Sequence, residues 1–309
     1  MKLNPDFITG FTDGEGSFGI YLAKREKSRL GWSVEPSFKI ELHSRDIKLL
    51  KLIQAFFGVG SIIKNRRNSV SFYVYSLDQI SNVIIPHFDK YPLITQKQAD
   101  YLLFREVIMM MVKKEHLTRE GLDKIIAIRA SINNGLTEKF KATFPLTKPV
   151  ARPLVENQLI PHPFWVAGFT EGEGCFSIQV RRSKTHKTGF QIILKFQLTQ
   201  HCRDEQLMKR FETYLDCGNS GKTSRGEVYF IVSKFSDNYE KILPFFRQHP
   251  ILGVKSQDFQ DWCRVAEIIK SKDHLTTEEL EEILRIKSGM NKGRVNSFSG
   301  KRSMSSSAR

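Results

Sequence analysis

The strongest constraint on this 309-residue sequence is an internal repeat with an offset of 158 residues. The phrase GFTDGEGSF at Gly10–Phe18 returns as GFTEGEGCF at Gly168–Phe176, and HSRD at His43–Asp46 returns as HCRD at His201–Asp204. Because the offset is the same at each anchor, insertions and deletions cancel between them. A repeated unit of about 135 residues is too long for a solenoid and predicts two similar domains.

Composition suggests where these domains begin and end. We predict an N-terminal domain over residues 1–142, a linker over 143–162, a C-terminal domain over 163–296 and a flexible basic tail over 297–309. The stretch Thr143–Pro163 contains five prolines and few periodic apolar positions, which is typical of a linker. The tail is rich in Ser, Arg and Lys, as is common for loose chain ends.

Within each repeat the pattern reads helix, strand, strand, helix, strand, strand, helices. Alternating apolar and polar residues indicate half-buried strands, whereas apolar residues three or four apart indicate helices. Short connections predict antiparallel sheets with helices on one face, so the fold class is α+β. The strands are expected near Phe176–Val180, Gln191–Thr199, Val70–Tyr75 and Val228–Val232, and helices at Asp46–Phe57, Asp204–Leu215, Gln96–Val112 and Leu117–Ile132.

The chain is strongly basic, with 48 Lys and Arg against 33 Asp and Glu and a net charge of +15. Such an excess predicts a polyanionic partner, most often nucleic acid, and the alternative is a generic solvated basic surface. The longest clean apolar stretch, Val107–Val112, is far too short to span a membrane. The N-terminus shows neither a secretory signal nor transit-peptide character.

Four cysteines occur, all in the second half, and none forms a CxxC pair. Neither a zinc site nor a disulfide framework follows from this spacing. We expect reduced, mostly buried thiols in a reducing compartment.

The glycine–acid phrase predicts a helix pair. On a helix, Gly10 and Gly14 lie one turn apart on one face, as do Gly168 and Gly172, and such faces let another backbone approach closely. The simplest partner for one copy is the other copy. Glu15 and Glu173 follow directly, so the two carboxylates are expected to meet at a pseudo-twofold axis.

Two carboxylates at helix C-termini repel each other and the helix dipole, unless cations are bound there. Oxygen donors of this kind suit Mg²⁺, and metals beside a DNA groove suggest phosphodiester hydrolysis. One copy alone is also compatible with a simple turn. A calcium loop does not fit, because its sixth position is Phe18 and its twelfth is Lys24.

At these residues, ITGFTDGEG (Ile8–Gly16) and VAGFTEGEG (Val166–Gly174) resemble the two motifs of a monomeric LAGLIDADG homing endonuclease of the fungal mitochondrial intron-encoded type. The resemblance extends from Asn4 to about Arg294. It implies two pseudo-symmetric αββαββα domains that form a β-saddle in the DNA major groove. It also implies a mitochondrial monomer that makes a double-strand break at a long asymmetric target and uses Mg²⁺. Mn²⁺ is expected to substitute, and Ca²⁺ to support binding without cleavage.

The resemblance also assigns residues. The catalytic metal ligands map to Glu15 and Glu173, where both copies have Glu rather than Asp. The carbonyl groups of Gly14 and Gly172 are further expected ligands. The earlier acids, Asp13 and Glu171, match a position that is usually structural in the family.

Two lysines and a set of polar residues complete the expected site. Lys97 and Lys255 occupy equivalent positions near the family's active site, where a lysine stabilises developing charge, and the alternative is a phosphate contact. Expected DNA contacts, either to base edges or to phosphates, come from the strands and their turns. The candidates are Arg25, Arg29, Lys39, Arg66, Arg67, Gln179, Arg181, Lys184, Gln191, Lys195, Gln197, Lys222 and Arg225. A competing interpretation is an RNA maturase or a non-cleaving nucleic-acid-binding protein on the same fold.

Overall fold

The structure is a computed structural model that describes residues 3–66, 68–271, 276–291 and 294. Of the predicted features, Arg67 and the tail over 297–309 lie outside these ranges. The chain divides into two compact units, Met1–Gly172 and Glu173–Arg309.

The first unit carries the first four strands and most of the helix that begins the second repeat. The strands are β1 Gly16–Lys24, β2 Trp32–His43, β3 Ser61–Lys64 and β4 Ser69–Val74. The helices are α1 Pro5–Glu15, α2 Ile47–Phe57, α3 Leu77–Gln79, α4 Ile85–Lys90, α5 Lys97–Val112, α6 Arg119–Arg129, α7 Glu138–Thr143 and α8 Pro163–Glu173.

The second unit repeats the same element order after the end of α8. Its strands are β5 Gly174–Arg182, β6 Phe190–His201, β7 Asn219–Lys222 and β8 Glu227–Val232. Its helices are α9 Glu205–Leu215, α10 Phe235–Asp237, α11 Leu243–Gln248, α12 Lys255–Lys270 and α13 Thr277–Ser288.

Each unit contains one four-stranded antiparallel sheet. The strand order is β1-β2-β4-β3 in the first unit and β5-β6-β8-β7 in the second. The registers also correspond, because Gly16 pairs with Ile40 in the first sheet and Gly174 pairs with Leu198 in the second. The predicted α+β class and the antiparallel sheets are therefore confirmed.

The alternation in the sequence fixes which face of each sheet is buried. Phe18 on β1 is fully buried and its ring packs against those of Phe38, Phe88 and Phe104. The intervening residues of the strand point away from these helices, and Tyr21 among them is exposed. Each sheet therefore has one face buried under helices and one outward face, which we call the open face.

One helical segment in each unit escaped the sequence analysis. Between α3 and α4 the chain makes a wide π-helical turn at Ile80–Ile84, and the same turn recurs at Asn238–Ile242. Pro86 and Pro244 lie just after these turns. Proline inside a helical pattern argues against a continuous helix, so the sequence did not predict these helical turns.

The predicted burial of the cysteines is wrong. All four thiols are free, but Cys175 and Cys202 are exposed and Cys217 and Cys263 are only partly buried. Among the described residues, no helix combines the length and the apolar character needed to cross a bilayer.

A buried histidine distinguishes the first unit from the second. His87 on α4 is 9% exposed and lies against the rings of Phe57 and Phe88. Thr9 donates its hydroxyl hydrogen to the carbonyl of Tyr91, and its hydroxyl oxygen lies 3.3 Å from Nε2 of His87. Burial lowers the pKa of His87 to about 4. The repeat-equivalent position holds Phe245.

We predict that His87 makes the protein less stable in mild acid. The unfolded chain protonates this histidine near pH 6.5 and the folded chain only near pH 4, so the stability present above pH 6.5 is lost as the pH falls towards 4. The full loss amounts to about 3 kcal/mol. His87→Phe, which copies the second unit, should flatten this slope in urea unfolding between pH 7.5 and 4.5.

The exposed His186 provides a control. His186→Gln should keep the slope of the wild type. Parallel pH profiles for the wild type and His87→Phe would contradict the prediction.

Candidate active site and nucleic-acid interface

Helix α1 is defined at both ends by its sequence. The side chain of Asn4 caps its start by accepting a hydrogen bond from the backbone N–H of Asp6 at 2.8 Å, and Pro5 occupies the first turn. The helix ends at Glu15, because Gly16 adopts an extended conformation and begins β1. Glu15 is exposed at this C-terminal end.

Helices α1 and α8 touch through their backbones at the repeated glycines. A Cβ atom added to Gly10 would lie 2.0 Å from the carbonyl oxygen of Trp165, and one added to Gly168 would lie 2.0 Å from that of Phe7. One turn further along, a Cβ on Gly172 would lie 3.2 Å from Cα of Gly14. The predicted close approach of the two motif helices is therefore present in the first unit.

Asp13 is the buried centre of this helix pair. Its carboxylate is 1% exposed and accepts hydrogen bonds from the N–H groups of Ile94 and Thr95, the hydroxyl of Thr95 and the indole N–H of Trp165, at 2.6–3.2 Å. Burial raises the pKa of Asp13 to about 6, although these hydrogen bonds and Lys97 act in the opposite direction. Asp13 thus ties α1 both to α8 and to the loop before α5.

That loop delivers Lys97 to the C-terminal end of α1. The Lys97 ammonium donates hydrogen bonds of 2.9 Å to the carbonyl oxygens of Thr12 and Gly14. The last carbonyls of a helix have no partners within the helix and form the negative end of its dipole. A cation therefore already lies on the Gly14 carbonyl, whose oxygen has a second lone pair available.

A second buried acid holds α5 in place. Asp100 is 2% exposed and accepts a hydrogen bond from the N–H of Asn133, whose side-chain amide donates to the carbonyl of Phe18 on β1. Arg152 binds both Asp100 oxygens, at 2.6 and 2.9 Å. We call this group the α5 latch: it connects the helix of Lys97 to the strand that follows Glu15, and it involves a residue of the predicted linker.

The second unit contains the same latch with a different arginine. The backbone N–H of Asn291 donates a hydrogen bond to Asp258, and its side-chain amide donates one to the carbonyl of Phe176. Here Arg294, three residues after Asn291, takes the place of the linker arginine and donates to Asp258 at 3.0 Å. Both asparagines have a φ of 52°, a left-handed conformation that asparagine tolerates better than most residues.

Glu173 and Lys255 belong to this second unit. Glu173 is half-buried and accepts a hydrogen bond of 3.3 Å from the side-chain amide of Gln200. Lys255 is the first residue of α12, just as Lys97 is the first residue of α5. Desolvation raises the pKa of the Cys175 thiol, and the nearby positive charge of Lys255 partly opposes the shift.

The donor set at each motif consists of a carboxylate and a backbone carbonyl, which are hard oxygen ligands. Among the described residues, no three His, Cys, Asp or Glu side chains cluster as a protein-only metal site would require. One carboxylate per motif instead fits a divalent cation that takes its remaining ligands from water and phosphate. The residues therefore fit Mg²⁺ in the presence of a phosphodiester better than any thiol- or imidazole-bound metal.

The DNA-contact candidates of the first unit lie on the first sheet and its turns. Arg25 follows β1 and forms an exposed ion pair with Glu35 at 3.7 Å. Arg29, in the same turn, donates to the carbonyl of Leu117 at 3.1 Å. Lys39 projects from β2 on the open face and pairs with Glu41. Arg66 lies exposed in the turn between β3 and β4.

The candidates of the second unit form a denser polar surface. Five of them lie on the open face of β5 and β6, where Arg181 donates to the side chain of Gln179 at 3.1 Å: Gln179, Arg181, Gln191, Lys195 and Gln197. Lys184 and Arg225 are exposed in the two hairpin turns. Lys222 lies at the end of β7 and pairs instead with Glu205 of α9, at 2.7 Å.

Two groups of residues were not predicted from the sequence. The first is the latch of Asp100, Asn133 and Arg152, although the recurrence of Asn133 as Asn291 could have indicated it. The second is the tyrosines of the first open face, because uncharged β-strand tyrosines do not mark a nucleic-acid surface.

Comparison with known proteins places these features in one family. The LAGLIDADG endonuclease family profile matches residues 8–108 and again 166–266. Two proteins of Neurospora crassa, probable intron-encoded endonucleases 2 and 3, are 38% and 34% identical over 93% and 92% of this chain. The match covers 65% and 54% of those two relatives, so the chain spans less than two thirds of their length.

Solved structures match over nearly the whole chain. The I-SmaMI LAGLIDADG homing endonuclease bound to cleaved DNA aligns with a TM-score of 0.92 and 47% identity, covering 95% of this chain and 98% of that one. I-SmaMI was also solved on an uncleaved DNA target in the presence of calcium ions. The LAGLIDADG meganuclease I-CpaMI bound to uncleaved DNA aligns with a TM-score of 0.89 and 41% identity, over 94% and 99% of the two chains.

We predict that Gly10→Ala destabilises the protein severely. The new methyl group would overlap the Trp165 carbonyl at 2.0 Å, and two helix backbones must separate to relieve the overlap. Overpacking of this kind costs about 3 kcal/mol or more. Chemical denaturation monitored by circular dichroism measures the loss.

A matched control comes from Gly289, at the end of α13. A Cβ atom there has an ordinary contact at 3.5 Å and the backbone φ is −87°, so Gly289→Ala should leave stability within about 0.5 kcal/mol of the wild type. Equal stability of Gly10→Ala and Gly289→Ala would contradict the backbone contact.

Proposed function

Because this chain belongs to the LAGLIDADG endonuclease family, we propose that it is a site-specific DNA endonuclease that cuts both strands of a long asymmetric target. The reaction is hydrolysis of phosphodiester bonds and depends on divalent metal ions. The biological role is homing of the intron that encodes it.

The repeated motif helix is the observation that supports this proposal best. Each copy ends in a glutamate, Glu15 or Glu173, that is not fully buried and lies directly before a strand whose sheet has an open face. The backbone contact at Gly10 and Gly168 serves to hold the motif helices in register. A purely structural role would not require an acid at the C-terminal end of each motif helix, because the helix dipole disfavours negative charge there.

In this proposal Glu15 and Glu173 hold the metal ions, with the carbonyl oxygens of Gly14 and Gly172 as further ligands. Bound Mg²⁺ would supply charge stabilisation and an activated water. Mn²⁺ would substitute, whereas Ca²⁺, with longer and more flexible coordination, would support DNA binding without cleavage.

We assign the two lysines to charge stabilisation. Lys97 is held over the end of α1 by its two hydrogen bonds, within reach of any phosphate that approaches Glu15. An ammonium fixed before the substrate arrives stabilises developing negative charge without reorganisation. Lys255 is proposed to act in the same way beside Glu173, from the first turn of α12.

DNA is proposed to lie on the open faces of the two sheets, with one half of the target read by each unit. Phosphate contacts would come mainly from the exposed arginines and lysines of the turns, and base contacts from the strand residues. Because both motifs are on one chain, the active species is proposed to be a monomer. One fungal relative is named a probable intron-encoded endonuclease and another, from Saccharomyces cerevisiae, is named a mitochondrial protein, which supports a mitochondrial location.

We retain the domain limits 1–142 and 163–296, with the linker over 143–162, as part of this proposal. The observed latch adds that the linker is anchored to the first domain through Arg152 rather than being a loose tether.

We predict that Glu15→Gln and Glu173→Gln each abolish double-strand cleavage while leaving target binding in Ca²⁺ intact. Glutamine keeps the size of the side chain and removes the metal-binding charge, so the rate of linear product should fall by about 1000-fold. The assay follows nicked and linear products of a supercoiled plasmid that carries the target, recovered beforehand from a randomised library.

Glu120→Gln, on the exposed first turn of α6, is the control and should cut at the rate of the wild type. Rates of linear product within threefold of the wild type for either motif variant would reject these glutamates as metal ligands. A wild-type protein that binds the selected duplex but never cuts it would favour the non-cleaving alternative.

A further inference from the structure

The two units put different side chains on the same backbone. Their sheets share strand order and register, since Tyr21 pairs with Glu35 on the first open face and Gln179 pairs with Ile193 at the same place on the second. The fold therefore does not dictate what projects from these positions.

The first open face presents apolar side chains at positions where the second presents polar or small ones. Tyr21, Ile63 and Tyr75 are 52%, 41% and 60% exposed. Their repeat equivalents are Gln179, Gly221 and Ser233.

The tyrosines of the first face form an ordered group. The rings of Tyr73 and Tyr75 lie with their centroids 5.8 Å apart, and both line a hollow of about 690 Å³ together with Tyr21 and Met111. The paired charges of Arg25 and Glu35 lie at the same hollow. The ring of Tyr21 lies over Gly19, where a Cβ atom would come within 2.9 Å of it. The equivalent of Gly19 in the second unit is Ser177, beside Gln179.

The second face has a different chemistry. Its long polar side chains include Gln191 and Lys195, whose equivalents on the first face are the short Ser33 and Ser37. Arg181 likewise stands where the first face has Ala23. The apolar residues of the second face include Tyr229, which lies over Gly221, and Ile193 and Ile231, and these three are only partly exposed.

We infer that the first open face recognises its half of the DNA target through thymine methyl groups, by contacts of Tyr21, Ile63 and Tyr75, rather than mainly through hydrogen bonds to base edges. This inference rests on the proposed DNA-binding function. The 5-methyl group of thymine is the one apolar feature of the major groove, and apolar side chains recognise it by contact. Long Gln and Arg side chains instead suit the hydrogen-bonding edges of adenine and guanine.

The charges around the face fit a nucleic-acid occupant. Lys24, Arg25, Lys64 and Arg66 are exposed at the strand ends and turns that flank the tyrosines, where phosphates of a duplex would lie. The acidic side chains Glu35 and Glu41 on this face already have partners within the protein. Glu41 binds Lys39 and accepts a hydrogen bond of 2.6 Å from Ser69, and Glu35 accepts one from Ser33.

The test begins with duplexes selected from a randomised library by binding in Ca²⁺, which does not require cleavage. Deoxyuridine then replaces thymine in one half of the selected duplex or in the other, removing only the methyl groups. We expect uridine in the half read by the first unit to weaken binding about fourfold for each methyl contacted, and uridine in the other half to have a smaller effect.

Tyr21→Gln and Gln179→Tyr form a reciprocal pair of variants. Each introduces the residue that the other unit carries on the same backbone. Gln179→Tyr is combined with Ser177→Gly, because the ring of Tyr21 occupies the space over Gly19 that a Cβ atom would need. Tyr21→Gln should reduce the uridine effect in one half, which identifies that half as the one read by the first unit, and Gln179→Tyr should create a uridine effect in the other half.

The possible failures are distinguishable. If the wild type binds its target selectively but binds the thymine and uridine duplexes with equal affinity, the inference is wrong and the proposed function stands. Absence of selective binding by the wild type would overturn both. If Tyr21→Gln instead abolished self-association in sedimentation and left the uridine effect unchanged, the face would pair copies of the chain and the inference would be wrong.

Discussion

The rest of the candidate site depends on the backbone-to-backbone contact between α1 and α8. At Gly10 and Gly168 each backbone occupies the space that a Cβ atom would need, so the helices lie as close as two helices can. This proximity allows the indole of Trp165 on α8 to reach Asp13 on α1. The same contact brings Gly172 of α8 close to Gly14 of α1, where a Cβ atom would lie 3.2 Å from Cα of Gly14. One steric requirement thus aligns the two motif helices within the first unit.

Around this contact, buried acids connect the helices to the groups that would face substrate. Asp13 tolerates full burial because four donors surround it, and the same hydrogen bonds hold the loop that places Lys97 over the end of α1. Asp100 repeats the arrangement one turn along α5, with Arg152 as its partner. Buried charges require hydrogen-bonding partners. Here those partners belong to the helices and loops that must be held in position.

Much of this arrangement could be predicted from the sequence, because the repeat shows the pattern of each element twice. The α+β class, the sheets and the glycine contact all followed from periodicity and from the spacing of Gly10 and Gly14. The π-helical turns did not, since Pro86 and Pro244 mask the helical pattern, and neither did the exposure of Cys175 and Cys202. The latch was missed because Asp100, Asn133 and Arg152 are far apart in sequence, and only tertiary packing brings them together. The contact of Lys97 with Gly14 was equally invisible, although the lysine itself was singled out.

The central claim is that the glutamate at the end of each motif helix holds a divalent cation when DNA is bound. Anomalous scattering from crystals of the complex grown with Mn²⁺ and the selected target tests this directly. Peaks are expected within coordination distance, about 2.1 Å, of the carboxylate oxygens of Glu15 and Glu173, next to the DNA phosphates. Peaks confined to other side chains, with both glutamates free of metal, would contradict it.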